Sequence, residues 1–124
     1  MTSAHVLEVR RTVKLRQLAG VGPFLSGSLI RVRVRCGKAN CRCANGQPHE
    51  AHVVSRKEKG RTASYHVPTE RVEDARRWAN EYRNLKRLIR EIASLSEQIL
   101  RVHVRTLRAR RKRERTLKLP KSQP

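Results

Sequence analysis

From Ser28 to Cys36 the chain alternates, with Ile30, Val32 and Val34 aliphatic and Arg31, Arg33 and Arg35 cationic. A period of two belongs to a pleated strand, whose successive side chains point to opposite faces. One face is expected to pack and the other to be cationic. His52–Arg56 and Thr62–Val67 read as two more strands. Between them Lys57-Glu58-Lys59-Gly60 forms a polar turn, with Gly60 available for a left-handed conformation. The expected sheet is three-stranded and antiparallel.

After Val67-Pro68 the period changes. Thr69 is placed as an N-cap, and Glu70, Glu73 and Asp74 put negative charge where a helix dipole is positive. Trp78, Tyr82, Leu85, Ile89 and Ile92 form an apolar stripe at helical spacing, and Leu85, Leu88, Ile92, Leu95, Ile99 and Val102 alternate three and four apart like a coiled-coil seam. Glu73 with Arg77 and Glu97 with Arg101 are i,i+4 pairs. A helix over 69–107 is roughly 60 Å long at 1.5 Å per residue and outruns the sheet, so part of the seam is expected to seek a partner. At the other end, Val6, Val9 and Val13 share a helical face with Leu7, Leu15 and Leu18 beside it, although 9–15 also reads as a strand. A helix is favoured there, broken by Gly20-Val21-Gly22-Pro23. No internal repeat is present.

Composition changes this picture in two ways. With 37% hydrophobic residues, one Phe, one Trp and two Tyr in 124 residues, a single small domain has little bulk for a core and calls for a metal, disulfides or a partner chain. The net charge is +20, from 30 basic against 10 acidic residues, with Arg outnumbering Lys 22 to 8. Such a balance favours a polyanion through counterion release, and the planar guanidinium fork suits phosphate. An ordinary solvated surface is the alternative; an interfacial membrane helix lacks the apolar face it would need. From Arg101 to Pro124 there are ten basic residues and one acid, Glu114, and the densest run is Arg108-Ala109-Arg110-Arg111-Lys112-Arg113. Self-repulsion is expected to leave 108–124 as a disordered basic tail. No apolar run reaches membrane-span length and the N-terminus has no signal-peptide core, so a cytoplasmic location is expected, where thiols stay reduced.

All three cysteines and two of the five histidines fall within Cys36–His52, in the pattern Cys-x4-Cys-x-Cys-x5-His with His52 three residues beyond His49. Tetrahedral zinc accepts three thiolates and an imidazole, and the intervening Gly, Asn and Pro residues permit a tight backbone. Cys36, Cys41 and Cys43 with His49, or with His52 in its place, are the candidate ligands of a zinc knuckle, and another metal remains open. A disulfide is disfavoured by compartment and odd count, and buried free thiols by polar surroundings. A nucleophilic cysteine is conceivable beside so many arginines, but the segment offers no Asp, and Glu50 has no evident role in activating one. Cys3His sites are usually closed and structural, and with no paired carboxylates, phosphate-cradling Gly loop or triad the chain is not read as an enzyme.

Gly27-Ser28-Leu29, Arg35-Cys36-Gly37-Lys38 with Cys41-x-Cys43, a Gly and a His, then Lys59-Gly60 and Tyr65-x-Val67-Pro68 resemble a family of small uncharacterised bacterial proteins. Its members form a domain of unknown function, carry a Cys-Gly-Lys-Pro-x-Cys-x-Cys motif, and some are labelled transposase-associated. The resemblance covers about Ser26 to Leu100. It implies that Cys36, Cys41, Cys43 and His49 act as one unit. Where family members have His-Gly-Pro-Tyr, this chain has His49-Glu50-Ala51-His52 and lacks the turn and the aromatic.

The expected architecture is α+β, with a helical arm at 1–25, a zinc-knuckle β domain at 26–68, a long helix at 69–107 and a basic tail at 108–124. The expected function is a zinc-stabilised DNA- or RNA-binding accessory protein, with an association with a mobile element implied by the resemblance. Arg31, Arg33, Arg35, Lys38 and Arg42 would contact phosphate, joined by Arg108, Arg110, Arg111, Lys112 and Arg113. The alternative is a protein-interaction module whose seam, Leu85 to Val102, docks on a second copy or another protein.

Overall fold

The computed structural model describes residues 2–35, 37–41, 46 and 48–118. In chain order they form α1 (Ala4–Ala19), β1 (Ser28–Val34), β2 (His49–Glu58), β3 (Arg61–Val67), a single 3-10 turn (Thr69–Arg71) and α2 (Val72–Lys118). The fold is α+β: one three-stranded antiparallel sheet in the order β1-β2-β3, followed by a long helix. It divides into two compact units, Val21–Lys86 and the pairing of Met1–Gly20 with Arg87–Pro124.

In the sheet unit, β1 pairs with β2 from Ser28 opposite Ser55 to Val34 opposite His49, and β2 with β3 from His52 opposite Val67 to Glu58 opposite Arg61. The second hairpin closes on Lys59 and Gly60 alone, both with positive φ (49° and 78°), as a two-residue turn matched to strand twist requires. Gly60 has the left-handed conformation expected from the sequence; Lys59 shares it without being glycine.

The alternation of β1 is as the sequence predicts, but its aliphatic residues occupy the opposite face from the one that packs. Val54 is fully buried and clusters with Val67, Val72 and Ala75, with Leu25 and Leu29 against them. Leu29 lies opposite Val54 in the ladder, so the helix-covered face of β1 carries Leu29, Arg31 and Arg33. Ile30 and Val34 are 42% and 43% exposed on the other face. The reason lies in the helix. Ala75 and Ala79 are small and buried, which lets the α2 backbone come close to Val54 on the Leu29 side of the sheet. At the entrance to β1, Gly27 has φ +152°, and a Cβ there would meet Val54 Cγ1 at 2.8 Å, so the chain passes that core only as glycine.

Thr69 is not a helix cap. Pro68 precedes the 3-10 turn, its carbonyl accepts the Arg71 N–H at 2.9 Å, and no side chain caps the start. Asp74 supplies the negative charge instead: it accepts from Arg71 at 2.8 Å and from Arg77, and the Arg71 hydrogen bond, followed by the charges of both arginines, holds its carboxyl below the usual range. Glu73 therefore pairs with Arg76, at 3.4 Å, rather than with Arg77. The segment before β1 lies along this part of α2, with the Leu25 N–H donating to the Trp78 carbonyl at 3.0 Å and Phe24 stacked on Tyr82 at 5.9 Å. Trp78 and Ile89 of the expected stripe stay exposed; the buried line starts instead at Val72, Ala75 and Ala79.

In the helical unit, α1 runs antiparallel to α2. Arg11 donates to Ser96 at 3.1 Å, Lys14 pairs with Glu91 at 2.9 Å and His103 approaches Glu8 at 3.9 Å. Within this unit Leu88 and Ile99 of the seam are buried, and Ile92, Leu95 and Val102 half-buried. The seam thus finds a partner within the chain itself. On α1 the packed line is Leu7, Arg11, Lys14 and Leu18, which leaves Val6, Val9 and Val13 exposed. Polar residues at two of these packed positions fix the pairing through specific partners, as a polar seam residue does in a coiled coil. The hydrogen bond from Lys14, reinforced by Arg87, lowers the pKa of Glu91 and keeps it charged in this role. α2 continues to Lys118, well past 107. Ala, Leu, Arg and Lys are good helix formers, and Glu114 paired with Arg110 at 3.5 Å relieves part of the repulsion.

Candidate metal centre and cationic surfaces

The chain between β1 and β2 leaves and re-enters the sheet at a paired position, Val34 opposite His49. The Cys41 N–H donates to the Lys38 carbonyl at 3.2 Å, closing a tight turn, and Gly37 and Gly46 take positive φ values of 80° and 97°. That turn carries Cys41 back over the start of β2, where its Sγ lies 2.9 Å from His49 Nε2. Cys36 and Cys43, the other two candidate thiolates, lie outside the described residues, as does Arg42. Among the described residues no three His, Cys, Asp or Glu side chains form a metal-binding group.

His49 and His52 are separated by the ladder. Residues three apart on a strand face opposite ways, and His52 sits on the helix-covered face opposite Arg31 while His49 meets Cys41. His52 instead lines a cavity of about 350 Å³ with Leu29, Arg31, Arg76, Ala79, Asn80 and Arg83. Of the predicted phosphate contacts, Arg31, Arg33, Arg35 and Lys38 are exposed, and Arg31 has Glu50 only loosely at 3.9 Å. The cavity adds Arg76 and Arg83, which in the sequence have the look of the ordinary polar side of an amphipathic helix.

The second cationic surface is on α2. Arg108, Arg110, Arg111, Lys112 and Arg113 are all exposed. Because the helix extends to Lys118, Arg108 and Lys112 also align with Arg101, Arg105 and Arg115 at alternating spacings of four and three, on one helical face. Arg101 is anchored there by Glu97 at 2.9 Å. A helix ending at 107 could not have shown this row.

A family model described as a domain of unknown function, DUF6788, matches residues 5–77. The chain belongs to that family. The DUF6788 match begins well before Ser26 and ends short of Leu100, so it takes in α1, the sheet with its cysteine loop and the first turns of α2, but not the cationic row from Arg101 onward. No curated protein and no solved structure matches the chain. None of the described helices is long and apolar enough to cross a membrane.

Proposed function

We propose that this DUF6788 protein is a non-enzymatic nucleic-acid-binding accessory protein whose small sheet is stapled by zinc. The observation that supports the nucleic-acid reading is the row Arg101, Arg105, Arg108, Lys112 and Arg115, which are exposed on one face of α2, with Arg101 held by Glu97. Arg33, Arg35 and Lys38 would add phosphate contacts from the sheet unit, without base readout. An association with a mobile element, implied by family resemblance alone, would make the partner DNA.

Zinc is supported by the approach of a thiol and an imidazole nitrogen at the mouth of the cysteine loop. The spacing in the sequence is compatible with this: Cys43 follows Cys41 by two residues, and Cys36 follows Val34, the ladder partner of His49, by two. Zinc–sulfur and zinc–nitrogen bonds of about 2.3 and 2.0 Å would spread Cys41 and His49 to about 3.5 Å around a tetrahedral ion. Cys36, Cys41, Cys43 and His49 would be the ligands, leaving His52 to the cavity. A closed Cys3His site of this kind supplies stability rather than chemistry.

A second reading concerns self-association. Val6, Val9 and Val13 form an exposed aliphatic row on α1, and Val9 and Val13 border an apolar groove with Leu95. Two helices cannot enclose a core alone, and a second copy presenting the same row would complete a four-helix arrangement.

Three outcomes are expected. Protein purified without a histidine tag carries one zinc per chain, lost in Cys41→Ser and His49→Ala but retained in His52→Ala; a metal-free, reduced protein would overturn the staple. Affinity for duplex DNA falls with salt with a log–log slope of about −4.5 if the five cations of the row are engaged, and Arg108→Gln with Lys112→Gln flattens it by about 1.8. Absent or salt-insensitive binding at low ionic strength would overturn the nucleic-acid reading. Light scattering gives a dimer that Val9→Glu with Val13→Glu converts to monomer; a monomeric native protein rules the second reading out.

A further inference from the structure

The cavity beside Ala79 is unusual for its position. A helix laid on a sheet normally fills the gap with aliphatic side chains, as Val54, Val67, Val72 and Ala75 do one turn earlier. Here α2 presents Arg76, Ala79, Asn80 and Arg83, spaced i, i+3, i+4 and i+7 on one face. The sheet answers with Arg31 and His52, direct ladder partners. Ala79 and Leu29 leave room at the base, and the walls are polar or charged.

The compensating acids are weak. Glu50 stands 3.9 Å from Arg31, Glu73 reaches Arg76 at 3.4 Å from a largely exposed position, and Arg83 donates to the neutral Asn80 side chain at 3.3 Å. Neither carboxylate lines the cavity. Three guanidinium groups around about 350 Å³ repel one another until an anion enters, and the His52 imidazole adds a hydrogen-bonding group to the wall. The space holds one phosphate with part of its sugar. It is concave, so it does not suit the outward-facing, monoanionic diesters along a duplex, which the row on α2 can meet. A terminal phosphate monoester suits it better, because near neutral pH it carries close to two charges and has three free oxygens for guanidinium forks.

We propose that the cavity lined by Arg31, His52, Arg76 and Arg83 binds the terminal phosphate of a nucleic-acid strand, making the protein a reader of strand ends. This rests on the nucleic-acid reading above and adds an end preference to it.

The test measures fluorescence anisotropy at one salt concentration with a single-stranded oligonucleotide of one sequence, made with a 5′-phosphate, with a 3′-phosphate, or with hydroxyls at both ends. One phosphorylated form is expected to bind about tenfold more tightly than the hydroxyl form, the effect of a gained charge-assisted contact. Arg76→Gln and Arg83→Gln, checked for retained helicity by circular dichroism, should abolish that ratio. Arg108→Gln with Lys112→Gln should lower all three affinities and keep the ratio. Equal binding of all three oligonucleotides overturns the end-reading proposal while leaving general nucleic-acid binding intact, and so does a preference that survives both cavity variants. If no oligonucleotide binds, the end-reading proposal fails, and the duplex titration above decides the nucleic-acid reading separately.

Discussion

The antiparallel pairing of Ser28–Val34 with His49–Glu58 is the constraint on which the sheet unit depends. It closes the cysteine loop by holding Val34 opposite His49. It sets Val54 opposite Leu29, creating the core under α2, and it sets His52 opposite Arg31, creating one wall of the cavity. A slip of one residue would exchange the two faces and undo all three. Yet the pairing has modest support of its own. Three strands with only one covered face are near the lower limit for independent stability, and the uncovered face carries Ile30 and Val34 exposed. A cross-link at the loop would meet that need, which is why the thiols are read as structural.

The charge of +20 is divided between different tasks. Arg11 and Lys14 register α1 on α2 through Ser96 and Glu91, and Arg71 and Arg77 steady Asp74 at the start of α2. Neither group is free to hold a polyanion. The proposed binding surfaces draw on two other groups: the exposed row on α2, where Arg101 also pairs with Glu97, and the cavity where Arg31, Arg76 and Arg83 meet, where Arg76 also pairs with Glu73. A charge count therefore overstates the cationic surface left over once the arginines with internal structural tasks are set aside.

Strand number, the antiparallel sense of the sheet and the long helix were legible because each rests on local periodicity: the alternation of Ile30 to Arg35, the Lys59-Gly60 turn, and the seam from Leu85 to Val102. What periodicity does not encode is which face wins. Leu29, a single residue ahead of the alternation, packs where Ile30 was expected to, because buried Ala75 and Ala79 bring the helix down on its side; alanines carry little hydrophobic signal and were passed over in favour of Trp78. The seam's partner was invisible for a similar reason, since α1 meets it through Arg11 and Lys14 rather than through its valines. At the candidate centre spacing put His49 ahead of His52, and the ladder register adds what spacing does not encode, that the two imidazoles lie on opposite faces of β2. Arg76 and Arg83 became meaningful only once the helix lay across Arg31 and His52.

The central claim is that a metal in the cysteine loop holds β1 against β2. Amide hydrogen exchange, followed across the chain before and after a chelator strips the bound metal, tests it most directly. Protection at Ile30–Val34 and Ala51–Val53 should collapse on metal removal while Leu88–Ile99 of α2 stays protected. Unchanged strand protection after stripping, or a native protein with no metal to strip, would contradict it.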